Sequence, residues 1–380
     1  MAISDAVTAR GMSQRILRAI PAIQQNFQKQ NALLYLVQKN GQIKWGGSHT
    51  EFDWYIRRTT GNAPTWGGGE LAARTFEELN PVNKAYLPYC WLEQTYGVSE
   101  RSLEANKNAS GTNKVYDILK ENLNIATINL YSALVSAMWS GGSSGNGGDT
   151  PIGLDKAAGS PYESTANVIV TALASYANRT LTTAGVSTYD SSKITTGWDD
   201  VHWAPVAADL NELPGVTAAD GATWAVDAIY ALNSIANEME TTADLSGTGK
   251  AVKPTHAFMN GTLYTPLTAL LTKSQFTYNI PVGSKELTLA DFPNVVVNNI
   301  TVVKDTEVPK GSEATPLNRV FVLDLSKYHI CTTHTKSEGL ITTEFDTSNP
   351  MISGAIGVLK CNLAYMVESP TAVGCIVGCN

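Results

Sequence analysis

The apolar positions change character several times along the chain, and each change marks a segment. Between Met12 and Gln30, the residues Ile16, Leu17, Ile20, Ile23 and Phe27 recur at helical spacing. Arg10, Arg15 and Arg18 lie on the polar side, and Pro21 is placed to kink the run. This predicts an amphipathic arm whose apolar stripe docks on its own lobe or on another subunit. From Leu33 to Tyr96 the pattern turns β-like. Leu34-Tyr35-Leu36-Val37, Ile43-Lys44-Trp45 and Phe52 to Arg58 are rich in β-branched and aromatic residues, several alternating apolar with polar. Strands are expected there, with a return strand from Ala85 to Tyr96 through Tyr86, Leu87, Tyr89, Trp91 and Leu92. The segment between Arg58 and Leu71, with Pro64 and three glycines after Trp66, suits a turn or an exposed tip. Together these segments predict a long two-stranded hairpin.

A ribbon of that length is marginal alone in water and needs a surface to lie on. Trp45, Trp54, Tyr55 and Trp66 are the residues placed to meet it. They either fold onto their own domain, the usual fate of Trp and Tyr, or contact a neighbouring subunit.

The strongest helical pattern runs from Thr112 to Trp139, where Tyr116, Leu119, Leu123, Ala126, Leu130, Ala133 and Ala137 lie three or four residues apart without Gly or Pro. The glycine-rich stretch Ser140 to Asp149 ends it and reads as a connector. A second helix is expected from Ala222 to Met239, with Trp224, Ala225, Ala228, Ile229, Leu232, Ile235 and Ala236. The last third alternates strand runs, Asn294 to Val303, Arg319 to Leu325 and Ala355 to Val367, with turns. The class is α+β.

Composition narrows the function. With 380 residues, 43% hydrophobic and 16% charged, the chain can bury a large core. At ~100–200 residues per domain that means two or three lobes. A net charge of -7 argues against a surface built to neutralise phosphate. The five cysteines are odd in number and scattered, which suits unpaired thiols in a reducing compartment. Met1 to Arg10 lacks the pattern of a secretory signal, and the most apolar stretches, such as Val168 to Ala177, stop short of the ~20 residues that cross a membrane.

Motifs that imitate chemistry fail on context. Gly141-Gly142-Ser143-Ser144-Gly145 has the letters of a nucleophile elbow, but a helix precedes it where a strand is required. Gly247-Thr248-Gly249-Lys250 imitates the end of a phosphate loop, with Asp244 where the first glycine belongs and Ala251 where a hydroxyl belongs. His329, Cys331 and His334 are close in sequence, yet a strand puts His334 on the face opposite the other two, and Cys375 with Cys379 supplies no second regular pair. Asp199-Asp200-Val201-His202 has no identifiable partner for acid/base work. No catalytic residue, metal or cofactor is expected.

The order of segments carries a resemblance that no single motif does. Gly41-Gln-Ile-Lys-Trp-Gly-Gly-Ser48 looks like the start of an extended loop, and Ala105 to Asp117 like the entry to a spine helix. Lys253-Pro-Thr-His-Ala-Phe-Met-Asn-Gly-Thr-Leu-Tyr264, followed by Leu267 to Leu271, looks like a strand delivering the chain to a helix. Val295 to Asp305, Pro316 to Asp324 and Asn362 to Gly374 complete the series. The whole resembles the major capsid proteins of tailed bacteriophages, the Hong Kong 97 type.

That resemblance implies an N-terminal arm at 1–39, an extended loop hairpin at 40–98, a peripheral lobe with the spine helix at 99–165, and an axial lobe at 166–338. A return to the peripheral lobe at 339–368 and a final strand at 369–380 follow. The Ala/Thr-rich stretch from Ala157 to Lys193 departs from the pattern as an insertion. The resemblance further implies a shell protein without enzymatic activity, assembled in the host bacterial cytoplasm into the virion. Its partners would be itself in hexamers and pentamers, scaffolding, portal and decoration proteins, and packaged double-stranded DNA only indirectly, with no membrane. Trp45, Trp54, Tyr55, Trp66, Arg15 and Arg18 would be the intersubunit contacts. An encapsulin-like compartment shares the fold and is the alternative; a carbohydrate-active or hydrolytic enzyme is disfavoured because no carboxylate or serine constellation assembles.

Overall fold

The computed structural model describes residues 31–47, 51–57, 82–99, 113–140, 150–158, 161–163, 169–171, 175–176, 179–180, 206–210, 223–245, 252–275, 292–308, 318–346 and 354–379. The arm with Arg15 and Arg18, the tip carrying Trp66, the glycine-rich connector, both glycine motifs, Asp199 to His202 and most of the Ala/Thr-rich stretch lie outside these residues.

Helix α1 (Ala32–Lys39) leads into β1 (Ile43–Lys44), after which β2 (Glu51–Arg57) and β3 (Val82–Pro88) pair as a hairpin. Strand β4 (Cys90–Ser99), the spine helix α2 (Asn113–Ser140) and the short α3 (Leu154–Ala157) follow. Two small ribbons come next, β5 (Pro161–Glu163) with β6 (Ile169–Thr171) and β7 (Ser175–Tyr176) with β8 (Arg179–Thr180). Then come β9 (Val206–Asp209), α4 (Trp224–Leu245), β10 (His256–Met259) and α5 (Gly261–Gln275). Strands β11 (Asn294–Val297), β12 (Ile300–Lys304), β13 (Val320–Leu323), β14 (Tyr328–Thr332), β15 (Thr342–Asp346), β16 (Gly354–Val367) and β17 (Val373–Val377) complete the chain.

The long strands gather into two sheets. In the five-stranded sheet β16 is central: β4 pairs along one edge, β14 and β15 along the other, and β1 adds to β14. The six-stranded sheet runs β11-β12-β10-β13-β17-β9.

Three sequence expectations are corrected. Leu34 to Val37 is helix, not strand: Asn31 caps it by accepting from Leu34 N at 2.8 Å. At the other end Gly41 takes φ +68, its N–H donating to Gln38 O and that of Gln42 to Val37 O, a left-handed cap that spares glycine a Cβ penalty. The expected return strand from Ala85 to Tyr96 is two strands broken at Tyr89, β3 pairing with β2 and β4 with β16. The run from Asn294 to Val303 is a hairpin, turned by Asn298 and Asn299 at φ 46 and 67, the positive values that two-residue turns require.

The spine helix forms as expected over 28 residues, ~42 Å at 1.5 Å per residue. Its buried stripe is Leu123, Ala126, Leu130, Leu134 and Met138; Ala133 is exposed, because a 3.6-residue period drifts onto the later positions. This helix ties the two sheets together. Tyr365 of β16 donates its hydroxyl to Leu134 O at 2.8 Å, while Trp139 packs between Phe258 of β10 and Phe321 of β13 with ring centroids 5.6 Å from each. On the opposite face of the six-stranded sheet α4 buries Trp224, Ala228, Leu232, Ile235 and Met239. Trp224 Nε1 donates to Leu263 O of α5 at 2.8 Å.

Candidate functional site

The two faces of the five-stranded sheet are finished differently, because a strand sends alternate side chains to opposite sides. Leu359, Cys361, Leu363 and Tyr365 of β16 face α2 and are buried. The other face carries Val358, Lys360, Asn362, Ala364 and Met366, beside Trp91 and Glu93 of β4 and His329 and Cys331 of β14. The base of the β2–β3 hairpin folds over one end of that face, and among the described residues nothing covers the other end, where Trp91 is exposed.

The base of the hairpin is strapped down by backbone and side chain alike. Strand β1 runs parallel to β14, with Ile43 opposite Ile330, and Gly46 and Gly47 continue the ladder by donating to His334 O and Thr332 O. Gly46 needs its φ of +79, and a Cβ on Gly47 would lie 2.0 Å from the Tyr89 hydroxyl oxygen, so the chain passes only as glycine. Phe52 and Trp54 then pack side by side at 6.2 Å between ring centroids, half-buried against the core.

Glu368, just past the end of β16, joins these pieces. Its Oε1 accepts from His329 Nε2 at 3.1 Å and lies 3.9 Å from Lys44 Nζ, while Oε2 accepts from Lys327 Nζ at 3.3 Å. Its backbone carbonyl accepts from Trp54 Nε1 at 3.1 Å. The His329 hydrogen bond, with the Lys327 charge beside it, pulls this carboxyl down to about 2 against the opposing effect of burial. Lys44 also lies over the Phe52 ring, 5.4 Å from its centroid. His329 thus finds a carboxylate partner, and His334 Nδ1 turns to Leu340 O at 3.2 Å.

All five cysteines are buried, and burial holds the thiols of Cys331 and Cys375 up at about 12 and about 11. Among the described residues no three His, Cys, Asp or Glu side chains converge as a metal site, and no helix is long and apolar enough to cross a membrane.

Of the predicted contact residues, Trp45 and Trp54 are half-buried on their own subunit. Tyr55 lies on β2 with its backbone opposite Lys84. Trp66, Arg15 and Arg18 lie outside the described residues. The structure adds exposed apolar side chains that sequence reading did not single out as contacts: Trp91 on the open face at 64% exposure, Ile125 and Ile128 on the outer side of α2, and Val226 and Tyr230 on α4. The parity of β4 was the available signal, since Cys90 and Leu92 facing the spine helix force Trp91 outward.

No family model matches this sequence, and no curated protein matches it. Solved structures do. The Cyanophage A-1(L) capsid asymmetric unit aligns at TM-score 0.55 and 15% identity over 90% of this chain and 93% of that one. A capsid of the native GTA particle gives 0.48 and 13% over 90% and 89%. A holo encapsulin complex from Synechococcus elongatus gives 0.47 and 7% over 90% and 87%. The cyanophage capsid likeness, spanning nearly the whole of both chains, gives this protein the Hong Kong 97-type α+β capsid fold.

Proposed function

We propose that this chain is the major capsid protein of a tailed bacteriophage, self-assembling through hexamers and pentamers into the icosahedral shell that encloses the genome. The observation that carries the reading is the fold likeness to the Cyanophage A-1(L) capsid over 90% of the chain. Trp91 on a sheet face and Ile125 with Ile128 one turn apart on α2 are exposed apolar side chains that contacts between copies would cover. Each subunit uses repeated heterologous contacts that close when the angles between copies permit. Many modest contacts then hold the shell, and none needs to be strong alone.

In this reading Tyr55, Trp66, Arg15 and Arg18 meet neighbouring copies, and Trp45 and Trp54 use their half-exposed edges for the same purpose while seating the hairpin. The net charge of -7 keeps the shell lining from adhering to packaged double-stranded DNA. Scaffolding, portal and decoration proteins are its further partners, with assembly in the host cytoplasm and final residence in the virion. No enzymatic step is assigned.

Electron microscopy of the purified protein, with light scattering across protein and salt concentrations, tests the reading. Closed shells or capsomer rings are expected, and a species that stays monomeric under all conditions overturns it. Particles recovered from infected cells should hold double-stranded DNA; particles holding a protein cargo instead would establish the compartment alternative.

A further inference from the structure

A hairpin that leaves a sheet through two glycines has little to fix its direction unless something grips it beyond the turn. Gly46 and Gly47 supply the turn, and β2 begins at Glu51. The grip comes from Glu368. It collects Lys327 from the turn just before β14, His329 from β14 and Lys44 from β1 with its carboxylate, and Trp54 from β2 with its carbonyl. Its own N–H donates to Lys327 O at 3.0 Å, so the backbone that carries the carboxylate is fixed to the same strand. A half-buried carboxylate with two nitrogen donors, His329 and Lys327, and a third cation, Lys44, at 3.9 Å is worth more than an exposed pair, since water screens it less and its removal leaves the lysines without their shared counter-charge.

We propose that Glu368 is a positioning residue that sets the angle at which the β2–β3 hairpin leaves the five-stranded sheet, and through that angle decides whether neighbouring subunits meet in a closing geometry. The second half rests on the capsid reading; the first does not. Glu368 touches no partner surface in this scheme. It acts through Lys44, Phe52 and Trp54, whose rings it holds against the sheet.

The test separates the two halves. In dispersed subunits Glu368→Gln keeps the size and loses the charge. The amides of β2 and β3 should then exchange with deuterium about tenfold faster, while those at 121–139 of the spine helix stay unchanged. Trp54→Phe, which keeps an aromatic ring and loses the N–H, should give the same pattern more weakly. It also keeps the test open if Glu368→Gln fails to fold. Lys360→Met, which breaks the 2.7 Å pair with Glu344 at the far end of the same face, should leave hairpin exchange as it was. Hairpin exchange at the wild-type rate in both Glu368→Gln and Trp54→Phe overturns the grip. Particle yield and diameter read the other half: Glu368→Gln should give few or misshapen particles, and normal particles from a subunit with a loosened hairpin overturn the link to closure. Wild-type protein that forms no particles overturns the capsid reading and the closure half with it, while the exchange data still decide the grip.

Discussion

Strands β13 and β17 of the six-stranded sheet are buried from end to end, whereas β4 of the five-stranded sheet alternates buried and exposed along ten residues. The residue types follow the coverage: β13 and β17 carry no polar side chain, whereas β4 sets Trp91, Glu93, Thr95 and Ser99 at its exposed positions. Helix α4 lies over the face bearing Val322 and Gly374, and Trp139 of the spine helix over the face bearing Phe258 and Phe321, so both faces of the six-stranded sheet are closed by the subunit itself. The five-stranded sheet has α2 on one side and, among the described residues, only the hairpin base on part of the other. A region completed within one chain is a stability element, and one left half-covered is where other copies can complete it. Substitutions in the first should lower the unfolding midpoint, and those in the second should lower assembly and leave the midpoint alone.

The largest expected separation comes from deleting residues 58–71, which removes Trp66 and its glycines but leaves β2 and β3 whole. In the capsid reading Trp66 is buried on a neighbouring copy, and its loss with part of the hairpin would remove about 2–4 kcal/mol per contact, repeated at every subunit. Particle yield should collapse while thermal unfolding stays near wild type. Normal shells would remove the tip from the interface, and an unfolded subunit would show that it packs at home.

Two tryptophans then divide the comparison. Trp139 is fully buried between the sheets, so Trp139→Ala should cost about 3–5 kcal/mol of subunit stability. Trp91→Ser, at a side chain already 64% exposed, should change stability by under about 0.5 kcal/mol and reduce particle yield. Equal losses of stability in urea titrations would mean that the open face is closed by the subunit's own undescribed residues.

How much of this was readable beforehand follows the same division. The spine helix, β2 and β16 were legible because period and composition agreed, and the strand-to-helix passage from His256 to Leu271 because it resembled a segment of the capsid family. Helix α1 was not: the β-like run Leu34 to Val37 outweighed Asn31 and Gly41, which bracket eight residues as a cap pair. Eight residues carry too little helical period to win against composition, so the caps were the better signal. The Glu368 cluster was out of reach, since Lys44 and Glu368 stand at opposite ends of the chain and only the fold of β16 against β14 and β1 brings them together. Trp45, Trp54 and Tyr55 were visible as unusual aromatics, but their exposure depends on which end of a sheet face the hairpin covers.

Two close approaches sharpen the comparison at smaller scale. A Cβ on Gly357 would stand 2.2 Å from Cζ of Tyr96, whose hydroxyl is held 3.1 Å from Thr343 Oγ1. One on Gly374 would meet Met239 Sδ at 2.7 Å, where an unbranched thioether can swing aside. Both Ala substitutions should destabilise by about 1–3 kcal/mol, with Gly357→Ala the costlier because a pinned ring cannot yield. The reverse order in calorimetry would show that the six-stranded sheet is the more tightly packed of the two.

The smallest effect is a pH dependence placed where the six-stranded sheet meets α1. Asp305 follows β12 and is 3% exposed. Burial pushes its carboxyl up to about 6, against the Glu307 N–H that donates to Oδ1 at 2.9 Å and the Leu33 and Ala32 N–H groups at the start of α1. A carboxyl whose folded value lies above its unfolded 3.8 binds its proton more tightly in the native state. Its contribution to stability is therefore full below about pH 3.8, declines as the pH rises through 6, and is constant above. Glu368 has the opposite sign: its depressed carboxyl stabilises the fold above 4.5 and loses that contribution as the pH falls towards about 2. Between pH 5 and 8 only Asp305 of these two titrates, so Asp305→Asn, which keeps an acceptor for Glu307 N and cannot ionise, should flatten that part of the stability curve. The advantage of the variant over wild type should grow by on the order of 1–2 kcal/mol from pH 5 to pH 8. Urea unfolding of both proteins at the two pH values measures it, and a variant less stable than wild type at pH 8 would mean that the charged carboxylate is needed to hold the first turn of α1.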